Sequence, residues 1–232
     1  DGGALLKDSW FWMYPSENLD TEDYYDQECS WWHTDERGEV YRNRIRKING
    51  RSYAFDGIGR MQTGFVLFDG KSEFVARYEV DDWSSEDFIE GTIYGIEKSD
   101  LYLFSPDELN DGSMQIGKDI AVELEDGVFH FGFASNGKAF GNRNRLQKKE
   151  GMYYINGLRL EADEEYGYGV VKVEDGADTY YQVVDTRGKV IEGKKKIVKD
   201  KEGGYLLIIR NRLVAWCGDE DKPRWRSEER RV

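Results

Sequence analysis

Short aromatic or apolar runs recur along the chain at Trp31-Trp32, Tyr53-Ala-Phe55, Tyr102-Leu-Phe104, Phe129-His-Phe131 and Tyr181-Gln-Val183. Alternation with period two is the mark of a strand, because successive side chains point to opposite faces of the pleat. Turn-forming residues follow the runs: Asp35-Glu-Arg-Gly38, Asp56-Gly-Ile-Gly59, Ser135-Asn-Gly137 and Asp185-Thr-Arg-Gly188. Asp or Asn caps its own turn and Gly takes the left-handed position. A second short strand starts after the glycine, so each unit reads as a β-hairpin. Asn49-Gly50, Asp69-Gly70, Asp126-Gly127 and Asn156-Gly157 supply a further set of turns between units. Asn-Gly and Asp-Gly are the strongest short hairpin signals.

One six-residue pattern opens the second strand each time. It reads Gly, polar, apolar, two variable residues, then Gly or Asn. The copies are Gly38-Glu-Val-Tyr-Arg-Asn43, Gly59-Arg-Met-Gln-Thr-Gly64, Gly112-Ser-Met-Gln-Ile-Gly117, Gly137-Lys-Ala-Phe-Gly-Asn142 and Gly188-Lys-Val-Ile-Glu-Gly193. From 38, 59, 112, 137 and 188 the spacings are 21, 53, 25 and 51 residues. The long gaps are near twice the short ones, so copies near 85 and 160 have drifted. The pattern predicts an all-β chain, a solenoid of stacked β-hairpin repeats of about 20–26 residues. One hairpin cannot bury its apolar face alone, whereas stacked hairpins share a core.

Three stretches depart from the repeat. Residues 1–30, with Trp10, Trp12 and an acidic Tyr-rich run, read as an N-terminal cap or irregular segment. The array then covers 31–217, with a decorated unit near 76–100 where a hairpin or short helix is expected. Residues 218–232 read as a charged tail that includes Trp225.

Composition narrows the partners. Aromatics form 14% of the chain, with 26 Gly and 3 Pro, which suits short strands and tight turns. The net charge of −13 excludes the basic face that a nucleic-acid binder needs. It also disfavours an anionic membrane, and no stretch has the length of a membrane-inserting helix. Cys29 and Cys217 lie near opposite ends and are expected to remain two thiols. Those cysteines with His33 and His130 have no metal-ligand spacing, so no metal and no cofactor is expected. The acidic group Asp81, Asp82, Glu86 and Asp87 lacks the spacing of a calcium loop and reads as a solvated face. Lys194-Lys195-Lys196 reads as a protected strand edge.

The segment Ile48-Asn-Gly-Arg-Ser-Tyr-Ala-Phe-Asp-Gly-Ile-Gly-Arg-Met-Gln-Thr-Gly64 resembles the cell-wall-binding repeat family. That family includes the choline-binding modules of pneumococcal surface proteins and the repetitive receptor-binding domains of clostridial toxins. Gly112-Ser-Met-Gln-Ile-Gly117 carries the same hallmark, and Gly151-Met-Tyr-Tyr-Ile-Asn-Gly157 is similar to a diverged copy. The resemblance implies a left-handed solenoid of β-hairpins on a secreted or cell-surface protein of a Gram-positive bacterium. It also implies an extracellular location, with non-covalent anchoring to a cell-wall polymer or glycan. In choline-binding members a Trp follows the closing Gly of the motif. Here those positions hold Arg44, Phe65, Lys118, Arg143 and Lys194, of which Phe65 alone is aromatic. A choline cage needs several ring faces around one ammonium, so these departures disfavour choline.

Candidate ligand-binding residues are Trp31, Trp32, Phe65 and Tyr181. Strand alternation puts one of Trp31 and Trp32 in the core and the other at the surface, and splits Tyr180 from Tyr181 in the same way. Phe65 has the right chemistry at a family ligand position, or else packs in the seam between hairpins. Tyr53, Phe55, Tyr102 and Phe104 read as core. No catalytic residue is assigned: the chain has no nucleophile elbow, phosphate-cradling loop or supported Cys–His pair. A non-enzymatic wall- or glycan-binding module is expected. The alternatives are a structural adhesin stalk that binds a protein partner, or a carbohydrate-active enzyme using two of the 46 acids.

Overall fold

A computed structural model describes residues 5–106 and 111–218. The charged tail, Trp225 included, lies outside the described residues save for Gly218. The chain divides into two compact units. One runs to Arg145 and includes Ile155–Leu158; the other comprises Leu146–Tyr154 and the residues from Arg159 onward.

The first unit holds β1 (Trp10–Met13), α1 (Thr21–Asp26), β2 (Ser30–His33), β3 (Arg44–Ile48), β4 (Arg51–Phe55), β5 (Met61–Gln62), β6 (Gly64–Phe68), β7 (Phe74–Tyr78), α2 (Ser85–Glu90), β8 (Asp100–Phe104), β9 (Gly117–Leu124) and β10 (Gly127–Phe133). Its sheets are small and antiparallel: β1-β2, β3-β4-β5, β7-β6-β8, and the β9-β10 pair. The expected boundary at 30/31 falls within β2, and β1 pairs with β2, so the cap supplies half of the first hairpin. In the remainder of the chain, β11 (Gln147–Lys149) pairs with β12 (Met152–Ile155), and β13 (Leu158–Arg159) follows. Then β14 (Tyr168–Asp175) pairs with β15 (Asp178–Asp185), and β16 (Lys195–Lys199), β17 (Tyr205–Ile209) and β18 (Arg212–Cys217) form a three-stranded sheet. Lys194, Lys195 and Lys196 are exposed, the last two on edge strand β16, as Lys-rich edges require.

The repeat is carried by one loop. The Asp35 carboxylate accepts from the N–H groups of Arg37 (2.8 Å) and Glu39 (2.9 Å). The Asp35 N–H donates to the Glu39 carbonyl (2.8 Å) and the Gly38 N–H to the Asp35 carbonyl (2.9 Å). Asp185 repeats the arrangement with Arg187, Lys189 and Gly188. Asp56 varies it: its carboxylate accepts from all three of the Ile58, Gly59 and Arg60 N–H groups. One side chain thus satisfies two or three turn N–H groups that no strand partner reaches. Asp69-Gly70, expected as a simple turn between units, heads the same loop: its carboxylate accepts from Lys71 and Glu73. Ser72, at φ 67°, stands in the left-handed position that Gly fills elsewhere.

The third residue of each motif then closes the hairpin. Met61 pairs with Phe55, and Val40, Met114, Ala139 and Val190 bridge to Thr34, Phe104, Phe133 and Val184. Three of these residues also reach an earlier hairpin. The N–H groups of Met114, Ala139 and Val190 donate at 2.8 Å to the carbonyls of Ser52, Leu101 and Gly151. In the first unit the leading glycines form the floor for the preceding copy. A Cβ on Gly59 would lie 2.5 Å from Val40 Cγ1, and one on Gly112 2.6 Å from Met61 Cε. One on Gly137 would collide with Met114. Successive hairpins of this unit therefore stack through the same two motif positions.

Tyr53, Phe55, Tyr102 and Phe104 are buried, as alternation predicts. The decorated stretch supplies both β7 and α2. A capping box between Ser84 and Asp87 starts the helix, and Gly91 ends it in a left-handed conformation. Its Phe88 lies 5.0 Å from both Phe65 and Phe131, centroid to centroid. Asn156 fixes the helix there: its Nδ2 donates to the Phe88 carbonyl (2.9 Å) and to Asn144 Oδ1 (2.8 Å). Among the described residues no helix is long and apolar enough to cross a membrane.

Candidate functional site

The first hairpin carries a row of rings. β1 reads Trp-Phe-Trp-Met and β2 Ser-Trp-Trp-His, paired so that Trp10 faces His33, Phe11 faces Trp32 and Trp12 faces Trp31. Paired residues share a face, which puts Trp10, Trp12, Trp31 and His33 together. Phe11 and Trp32 share the other face and stack at 6.3 Å with an interplanar angle of 8°.

Trp32 is 4% exposed and its Nε1 donates to the Met13 carbonyl (2.8 Å), which satisfies its one polar atom. Trp32 is therefore the core member of its pair and presents no surface for a ligand. Trp31 is 43% exposed and Trp12 54%. Their rings are 5.3 Å apart and tilted by 55°. Trp10 meets Trp31 edge-on at 6.4 Å, then His33 at 4.7 Å and Tyr53 at 4.9 Å. His33 stacks on Tyr41 at 5.4 Å. The row thus runs from a packed end at Tyr41 and Tyr53 to an open end at Trp31 and Trp12.

Burial holds the His33 imidazole below its usual value, while the carboxylate of Asp8, 4.0 Å from Nε2, opposes that shift. His33 Nδ1 is buried without a hydrogen-bond partner. Beside the row, Arg60 ties α1 to the repeat loops: Nη1 meets Asp20 (3.2 Å) and Asp23, and Nε meets Asp56 (2.8 Å).

Phe65 is 1% exposed. It packs against Phe88 and Phe131, so α2 and β10 cover the ring and leave no face for a ligand. Tyr181 is 46% exposed on β15, opposite Lys172 of β14, and belongs to the second unit. Tyr180, its neighbour, is half-buried and lies under the guanidinium of Arg212 (4.1 Å). Of the four predicted residues, Trp31 and Tyr181 are exposed and Trp32 and Phe65 are core. Trp12 was not among the candidates. The spacing of Trp10, Trp12 and Met13 against Ser30–His33 was its available signal, since a cross-strand partner for Trp31 must come from a paired strand.

No protein-family model matches the chain, and no curated protein matches it. Solved structures do. Choline binding protein F of Streptococcus pneumoniae, in complex with ipratropium, has a TM-score of 0.48 and 13% identity over 90% of this chain and 49% of its own. The endolysin from phage Cp-1 complexed with choline has a TM-score of 0.32 and 16% identity over 83% of this chain and 40% of its own. CbpJ from Streptococcus pneumoniae has a TM-score of 0.30 and 11% identity over 89% of this chain and 87% of its own. The chain spans about half the length of the first of these structures. It is similar to choline-binding proteins, the same group that its sequence motifs resemble.

Proposed function

We propose that the chain is a non-catalytic module that binds a cell-wall polymer or glycan outside the cell. In this reading it is a solenoid of hairpins of about 20–26 residues. The observation that carries the reading is the open end of the ring row, where Trp12 and Trp31 are both exposed on one face of the first hairpin. Exposed indoles on a rigid strand pair cost free energy in water and offer flat apolar faces to a ligand. The turn that follows β2 is satisfied by the Asp35 carboxylate, which accepts from the N–H groups of Arg37 and Glu39.

Sedimentation of the purified chain with Gram-positive cell walls, with and without teichoic acid, tests the reading. Co-sedimentation that Trp31→Ala weakens is the expected result. Absence from the pellet with every wall preparation overturns it.

A further inference from the structure

The geometry points to a specific ligand class for the Trp12–Trp31 face: a pyranose that carries a free ammonium group, that is, an amino sugar without its acyl cap. This inference rests on the glycan-binding reading and narrows it.

Three observations lead there. The first is shape. Trp12 and Trp31 lie directly opposite each other on paired strands, 5.3 Å apart and tilted by 55°. One ring leans on the other, so their outer faces form an open, stepped platform. An open platform takes the flat C–H face of a sugar ring. A small quaternary ammonium needs rings on several sides, and Trp10 meets Trp31 in a perpendicular ring contact that is already made within the row.

The second is charge. Residues 5–30 hold one cation, Lys7, and seven carboxylates. Asp20 and Asp23 are neutralised by Arg60. Glu22, Asp26 and Glu28 form no ion pair among the described residues, and Asp8 approaches only His33. Such a neighbourhood repels a phosphate polymer and favours a cation. The third is placement. Asp8 is an exposed carboxylate at His33, and His33 shares its face with Trp31. A negative group therefore lies toward the packed end of the ring row, at the residue two positions along the strand from Trp31. An ammonium group on a stacked sugar gains from the ring faces and from these carboxylates together.

Isothermal titration of the full chain tests the inference with a short glucosamine oligomer, the same oligomer N-acetylated, and choline. The expected result is saturable binding of the free amine, weaker by about threefold or more for the acetylated form and weakened by added salt. Trp12→Ala and Trp31→Ala should each abolish it, Trp12→Tyr should retain it, and Trp216→Ala in the second unit should leave it unchanged. Asp8→Asn should narrow the gap between the two oligomers. Equal or tighter binding of the acetylated oligomer overturns the inference. So does binding that survives both Trp→Ala changes, which would mark a polycation held by bulk charge, or a response to choline alone. Retention on walls with no amino-sugar binding overturns this inference and leaves the wall-binding reading standing.

Discussion

Met114 lies over Gly137, so closely that a methyl group at residue 137 would occupy its sulfur. The same relation joins Val40 to Gly59 and Met61 to Gly112. A repeat defined by two positions in sequence is thus a repeat of one contact in space. Gly137 has φ 82° and Gly50 φ 88°, yet a Cβ at Gly50 would meet nothing within 4 Å. Gly50→Ala should therefore cost only backbone strain, about 1–2 kcal/mol. Gly137→Ala should cost that and a further ~1–3 kcal/mol of overpacking. Urea unfolding of the two variants measures the difference, and equal losses would contradict the stacking contact.

Asn156 is fully buried and makes three side-chain hydrogen bonds, the third accepted by Oδ1 from the Asn144 N–H at 2.9 Å. Asn156→Leu leaves the Phe88 carbonyl and Asn144 N–H unpartnered, and it also forces a larger side chain into a filled site at φ 48°. The expected loss is about 2–4 kcal/mol, since an unsatisfied buried group bears its full desolvation cost. Phe88→Ala should cost about 3–5 kcal/mol through the cavity beside Phe65 and Phe131. A loss below 1 kcal/mol for either would show that α2 is not part of the core.

His33 makes stability depend on mildly acidic pH. Its folded-state value lies below the ordinary 6.5, so the unfolded chain binds the proton first as pH falls. Stability is full above 6.5 and declines below it until the folded-state value is passed. The turn carboxylates Asp35 and Asp69, held below 3.8 mainly by backbone N–H groups, act only at lower pH. Denaturant midpoints of wild type and His33→Gln across this range give the test. The variant should show a flatter profile just below pH 6.5, and an unchanged slope would assign the effect elsewhere.

Three Asn-Gly pairs meet different fates in water. Deamidation needs the glycine nitrogen to attack the Asn side-chain carbonyl carbon and expel ammonia, after which water opens the ring. The Gly157 N–H donates to the Phe140 carbonyl (2.7 Å) and the Gly137 N–H to the Ala134 carbonyl (2.8 Å). Asn49 and Gly50 are exposed at a tight turn. Peptide mapping after incubation in mildly alkaline buffer should find Asp and isoaspartate at 49 well before 136 or 156. Faster change at 156 would mean that its hydrogen bonds open readily.

The strands around Tyr53, Tyr102 and Tyr181 were legible because period-two alternation is local, and so was the split of Trp31 from Trp32. The loops at Asp35, Asp56 and Asp185 were legible because Asp and a left-handed Gly three positions apart leave a fixed signature. Asp69 hid its loop because Ser72 replaced the glycine. Phe65 misled for another reason. Its own neighbourhood matches a ligand position, but its cover arrives from Phe88, in a stretch whose acidity gave no hint of a core role.

Sequence alone determined the hairpins, their turns and their repeat, since each depends on dihedral preferences and alternation within a few residues. The tertiary structure decided which rings meet water. That depends on what lies above a strand face, and the covering groups come from distant segments: Phe88 closes over Phe65, whereas the row ending at Trp31 and Trp12 stays open.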